Sequence, residues 1–87
     1  MAEKALPRIA GVASGQAPMT LRVRWQSGEE SPVNVAELVN TFRVYTPLRK
    51  NKVLFRRVRV GEHGADVAWT DDVDMSADTL WRLSQQP

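Results

Sequence analysis

The sequence predicts an α+β fold, with small antiparallel sheets and short helices in the order β-β-β-α-(α)-β-β-α, and three stretches predict it. Residues 19–26, MTLRVRWQ, alternate apolar and polar, the period of a half-buried strand. The runs RRVRV and ADVAW flank GEHG (61–64), where a glycine at each end suits a hairpin. Ser76 stands before ADTLWRLS with Asp78 in the first turn, the pattern of a capped helix start.

Taken in order, Pro7 opens a first strand in which Ile9 and Val12 are apolar and Gly11 weakens the alternation. SGQAP (14–18) is a loop by composition. The second strand follows, with Met19, Leu21, Val23 and Trp25 on one face and Thr20, Arg22, Arg24 and Gln26 on the other. Ser27 and Gly28 supply a turn, and SPVNV returns as a third strand whose Pro32 requires an edge position. Asn34 and Glu37 have the spacing of a capping box, so a helix over 35–42 is expected, with Leu38, Val39 and Phe42 as its apolar stripe. Tyr45, Pro47 and Leu48 read as an extended connection, because the residue before proline is pushed out of the α region. Asn51 can cap a second helical turn carrying Val53, Leu54 and Phe55. RRVRV (56–60) and ADVAW (65–69) then pair as strands, with Val67 and Trp69 on one face. Thr70 to Asp74 reads as an acidic turn leading into the last helix, Ala77 to Ser84, buried through Leu80, Trp81 and Leu83.

A chain of 87 residues supports one core rather than two, here a single domain over 7–84 with a flexible amino terminus (1–6) and a tail (85–87). Without cross-links, such a core supplies about 3 to 5 kcal/mol. Trp25, Trp69 and Trp81 are its largest contributors. Cysteine is absent, which excludes disulfides and thiolate metal sites and is compatible with a reducing compartment. The first residues, MAEKALPRIAGV, hold no apolar run of signal-peptide or membrane-spanning length, so a soluble cytoplasmic protein is expected, with no membrane partner.

The net charge of +2 conceals a segregation. Arg43, Arg49, Lys50, Lys52, Arg56, Arg57 and Arg59 follow one another with no acid between them, and Glu62, Asp66, Asp71, Asp72, Asp74 and Asp78 follow with only Arg82. The two halves either face each other within the fold, as adjacent hairpin strands do, or form separate patches for a partner. On the second reading, the candidate partner-binding residues are Arg43, Arg49, Lys50, Arg57, Arg59, Asp71, Asp72 and Asp78.

No reaction chemistry is legible. The aspartates invite a hard cation, but an EF-hand loop begun at Asp72 would have Ala77 where glycine is needed and Leu83 where a bidentate glutamate is needed. Their expected role is to accept turn and helix amides. His63 is the single histidine, placed at a glycine-flanked tip with no serine elbow or cysteine to act with. No catalytic, cofactor-binding or metal-binding residue is therefore assigned, and no enzyme activity is expected. The basic stretch, with Tyr45 and Phe55 interleaved, could contact phosphates and stack on bases, but its spacing matches no nucleic-acid module.

The succession PRIAGV, LRVRW with its turn glycine, a short helix ending near PLR, KVLFRRVRV, and the closing GADVAWTDDVDMSADTLWRL resembles the bacterial family called domain of unknown function 2442. The resemblance covers roughly Pro7 to Leu83 and is most specific at Trp69, Asp72, Asp74, Ser76 and Leu80. It implies an α+β fold with small antiparallel sheets, no established catalytic activity, and no active-site residues to carry over. It also implies a gene arrangement beside another small protein, resembling toxin and antitoxin pairs. Some relatives append a helix-turn-helix domain, for which a sequence ending at Pro87 leaves no room, so motif-based DNA binding is not expected. The expected function is a non-enzymatic protein-interaction module, antitoxin-like or accessory, whose partner is another small protein or a second copy. The alternative is a nucleic-acid-binding accessory protein using 43–59.

Overall fold

Alternation and turn chemistry build the first half of the molecule. The computed structural model describes residues 7–85, in which β1 (Ile9–Ser14), β2 (Thr20–Trp25) and β3 (Glu30–Asn34) form an antiparallel meander with β2 central. Residues 1–6, expected to be flexible, and Gln86 and Pro87 of the expected tail lie outside the described residues. Leu21, Val23 and Trp25 are buried while Arg22 and Arg24 are exposed, and Leu21 pairs across the sheet with Val33. Gly28 turns the chain at φ 100°, and Pro32 lies on the edge strand as its missing N–H demands. The weakness expected at Gly11 is a register shift between Ile9 and Gly11. Met19 departs from the expected strand: it takes φ 54°, β2 starts one residue later, and Thr20 is buried instead.

The middle of the chain is more helical than its local signals suggest. α1 (Ala36–Thr41) starts without the expected capping box, because the side chain of Asn34 accepts the N–H of Ala36 at 2.9 Å and Val35 occupies the cap position. Phe42 is half-exposed rather than part of the buried stripe, since it sits past the helix end in an extended conformation. The expected extended connection is a 3₁₀ turn (Arg43–Tyr45) running into α2 (Thr46–Lys50). Pro47 falls in the first turn of α2, where its missing N–H costs nothing, and burial of Leu48 outweighs the preference of the preceding residue for extended backbone. α3 (Lys52–Arg56) begins as expected, with the Asn51 side chain accepting the Leu54 N–H at 3.0 Å. Of RRVRV, only Arg59–Val60 is a strand, β4, because α3 runs to Arg56.

β4, β5 (Asp66–Thr70) and β6 (Val73–Ser76) form a second antiparallel meander. Val67 and Trp69 are buried, as expected. The acidic turn proves tighter than expected: Asp71 and Asp72 alone make it, and Val73 and Met75 return as buried strand residues. α4 (Ala77–Ser84) covers both sheets, packing against β3, β5 and β6. Leu80 is fully buried, and half-buried Trp81 meets Trp25 edge-to-face with centroids 5.2 Å apart. One hydrophobic cluster therefore runs from Ile9 to Leu80 through both sheets. No helix among the described residues is long and apolar enough to cross a membrane.

Ser76 caps α4 as the sequence predicts, its hydroxyl oxygen accepting the Thr79 N–H at 3.1 Å. Ser76→Ala is expected to lower stability by about 0.5 to 2 kcal/mol. Ser76→Asp, which keeps an acceptor and adds a favourable charge at the helix start, should retain most of it. Equal melting temperatures for wild type and Ser76→Ala would remove the cap from the account.

Candidate interaction surface

The segment from α1 to α3 is held down by three apolar side chains, Val39, Leu48 and Phe55, one from each helix. Tyr45 and Leu54 pack partly against the same core, and most of the remaining side chains between Val39 and Phe55 face water. Arg43, Arg49, Lys50, Lys52, Arg56 and Arg57 are all exposed, and none has a carboxylate within ion-pair distance among the described residues. Arg49 donates to the hydroxyl of Thr46 at 2.7 Å, a contact that orients the guanidinium without neutralising it. Three large apolar side chains share the segment with these cations: Phe42 is 50% exposed, Val44 49% and Val53 57%.

Phe42, Val44 and Val53 are the part of this surface that sequence reasoning missed. Phe42 lies four positions after Leu38, the spacing of a helical stripe, and the only signal against it is how short the helix is.

Arg59 is separate from the rest. It pairs with Ala68 across β4 and β5, donates to the Trp69 carbonyl at 3.3 Å, and approaches Asp71 at 3.8 Å. This is the one ion pair among the described residues that joins the basic and acidic stretches. The ion pairing expected between adjacent strands is thus limited to Arg59 and Asp71, and the other six cations are exposed and unpaired among the described residues. Asp72 is exposed in the β5–β6 turn, and Asp78 pairs with Arg82 at 2.8 Å along α4. Of the sequence-predicted residues, Arg43, Arg49, Lys50 and Arg57 therefore share the helical segment. Asp71 and Asp72 lie in the β5–β6 turn and Asp78 on α4, away from that segment in the fold's element order.

The outer face of the second sheet is acidic. Asp66 and Asp74 lie on it. Desolvation comes first, then the charge and hydrogen-bonding influence of the Asp74 carboxyl, and together they raise the Asp66 pKa above the ordinary carboxylate value; Arg59 acts in the opposite direction and Glu62 adds to the rise. Tyr45 donates to the Asp74 carbonyl at 2.8 Å, covering part of the open edge of β6. Burial and, secondarily, Asp74 raise its own pKa. Among the described residues, no three His, Asp or Glu side chains converge to hold a metal ion. His63 is exposed at φ 58°, and its carbonyl accepts from Arg8 at 3.5 Å.

The Asp66 shift makes a pH prediction. A carboxyl with a raised folded pKa binds its proton more tightly folded than unfolded. Its contribution to stability is therefore undiminished below the unfolded value of about 3.9 and declines as pH rises toward the folded pKa. Asp66→Asn should accordingly melt higher than wild type at pH 7, with the gain disappearing below about pH 4. A gain that persists at low pH would assign it to something other than the carboxyl pair.

A family model described as protein of unknown function (DUF2442) matches residues 16–86. No curated protein matches the chain. Among solved structures, one from Nitrosomonas europaea, described as a "putative DNA binding protein", is similar at 26% identity and a TM-score of 0.79. The similarity covers 98% of this chain and 53% of that one, so the chain spans about half the length of that protein.

Proposed function

The chain belongs to the DUF2442 family, whose function is unknown, and from that premise we propose that it is a non-enzymatic protein-interaction module, the antitoxin-like or accessory member of a bacterial two-protein system. The observation that carries the reading is the exposure of Phe42, Val44 and Val53 on the same segment as Arg43, Arg49 and Lys50. Half-exposed large apolar groups are what the centre of a protein interface uses, and a rim of unpaired cations selects a partner carrying acids. Aliphatic Val44 and Val53 have no comparable use against a phosphate backbone. The partner this surface fits is therefore an acidic protein with an apolar patch.

A second reading, binding of nucleic acid through the same cations, is favoured by their lack of ion-pair partners and by the similarity to the Nitrosomonas protein. One experiment separates the two. Tagged protein is purified from its host with and without nuclease, alongside Phe42→Ser/Val53→Ser and Arg43→Gln/Arg49→Gln variants. An acidic protein retained in stoichiometric amount through nuclease treatment, and lost with the apolar variant, supports the first reading. Co-purifying nucleic acid that is lost with the charge variant and kept with the apolar variant supports the second. If neither is retained by wild type, both readings fail.

A further inference from the structure

The β1–β2 loop faces α3 across a cleft of about 200 Å³, whose lining includes Ser14, Gly15, Met19, Lys52, Phe55 and Arg56. Its two walls differ in chemistry. α3 contributes Lys52 and Arg56, four positions apart and so on one face of the helix, both exposed and unpaired among the described residues. The opposite wall begins at Ser14, the last residue of β1, and continues into the loop. It also carries the Gln16 and Ala17 amides, for which no acceptor exists among the described residues.

The loop is shaped and strained. Its ends are tied by the Gly15 N–H donating to the Thr20 carbonyl at 2.7 Å, and the Thr20 hydroxyl donates to the Pro18 carbonyl at 3.3 Å. Between them, Met19 is held at φ 54°, in the left-handed region, which costs a non-glycine residue about 1 to 3 kcal/mol. Met19 rests against the core, so packing holds the strained conformation in place. Strain of this kind clusters where a chain is shaped to meet a ligand.

We propose that this cleft binds a phosphate group, held by Lys52 and Arg56 against the β1–β2 loop. A carboxylate is matched by a single guanidinium fork, whereas a phosphate monoester, with more charge and three free oxygens, takes two cations and further N–H or O–H donors together. A backbone phosphodiester offers two free oxygens and one charge to the same donors. The volume lies below the roughly 300 to 1,000 Å³ of sites that enclose a whole small molecule, so the cleft fits the group and leaves the rest of the ligand outside. The phosphate can come from inorganic phosphate or a monoester, or from the backbone of a nucleic-acid strand. The inference rests on α3 and the loop, not on the Phe42, Val44 and Val53 surface, and stands or falls separately from the partner reading.

The test is a backbone-amide NMR titration of the full chain with inorganic phosphate, with sodium chloride at matched ionic strength, and with a short single-stranded oligonucleotide. Saturable shifts confined to residues 14–19 and 52–56 are expected. Their presence with inorganic phosphate identifies a free phosphate group as the ligand, and their presence with the oligonucleotide alone identifies the phosphodiester. Lys52→Gln/Arg56→Gln, checked for a dispersed spectrum, should bind about tenfold more weakly or worse, and Arg24→Gln should bind within about twofold of wild type. Chloride reproducing the shifts, shifts spread over every arginine-bearing element, equal binding by the double variant, or no response to either phosphate source would each overturn the proposal.

Discussion

Gly64→Ala is expected to leave much of the protein unfolded at room temperature. Gly64 sits at φ 71°, and a Cβ there would lie inside contact distance of the Ile9 carbonyl oxygen and 2.9 Å from the Ile9 nitrogen. Both obstacles are backbone, so neither can swing aside. The left-handed conformation costs an alanine about 1 to 2 kcal/mol. Forcing β1 away from the second sheet adds about 1 to 3 kcal/mol. The sum approaches the whole stability expected of a domain this small, about 3 to 5 kcal/mol. Gly28→Ala is the control: it also starts from positive φ, 100°, but a Cβ there meets nothing within 4 Å, so it carries conformational strain alone. Urea unfolding of the two variants measures the difference, and equal losses would mean that the contact with Ile9 has no consequence.

Trp69→Phe is expected to cost about 2 to 4 kcal/mol, clearly more than the same change at Trp25. Both indoles are buried, but they are held differently. The Trp69 N–H donates to the Phe55 carbonyl at 2.9 Å, and its ring stacks on Phe55 with centroids 5.9 Å apart. That carbonyl is in the last turn of α3, where no helical N–H can reach it, so the indole both caps the helix and ties it to β5. Phenylalanine at 69 would strand a buried acceptor as well as leave a gap. The Trp25 N–H is buried with no partner among the described residues. Trp25→Phe therefore leaves a similar gap and weakens an edge contact with Trp81, on the order of 1 kcal/mol, but removes a polar group already unsatisfied and strands no acceptor. Thermal or denaturant unfolding of the two variants gives the comparison. Equal penalties would show that the Phe55 hydrogen bond contributes nothing net.

Several elements were legible because the signal and the structure share a length scale. The alternation of Leu21, Val23 and Trp25 is read from neighbouring residues, and so are the caps at Asn51 and Ser76, each of which closes on an N–H three residues on. The helical path through Pro47 was not legible, because its cause is the burial of Leu48 against residues far away in sequence. The strand β6 was hidden for a related reason. Four aspartates within eight residues outweigh Val73 and Met75 in any local reading, whereas in the fold those two side chains face inward and the acids face out.

The candidate surface divides in the same way. Composition alone located the cations and the acids, and the alternation of β5 put Asp66 on the face opposite Val67 and Trp69. Whether opposite charges meet depends on distances set by tertiary packing, and there Arg59 reaches Asp71 while Arg43, Arg49, Lys50 and Arg57 do not pair. By itself, then, the sequence determined the α+β class, the central strand, two helix caps and the segregation of charge, all of which follow from side-chain period and nearest-neighbour hydrogen bonding. Only the tertiary structure decided that Phe42, Val44 and Val53 stand in solvent beside the cations, and that Lys52 and Arg56 face the β1–β2 loop. Those outcomes depend on how short helices are turned when Val39, Leu48 and Phe55 are drawn into one core, and no local pattern encodes that rotation.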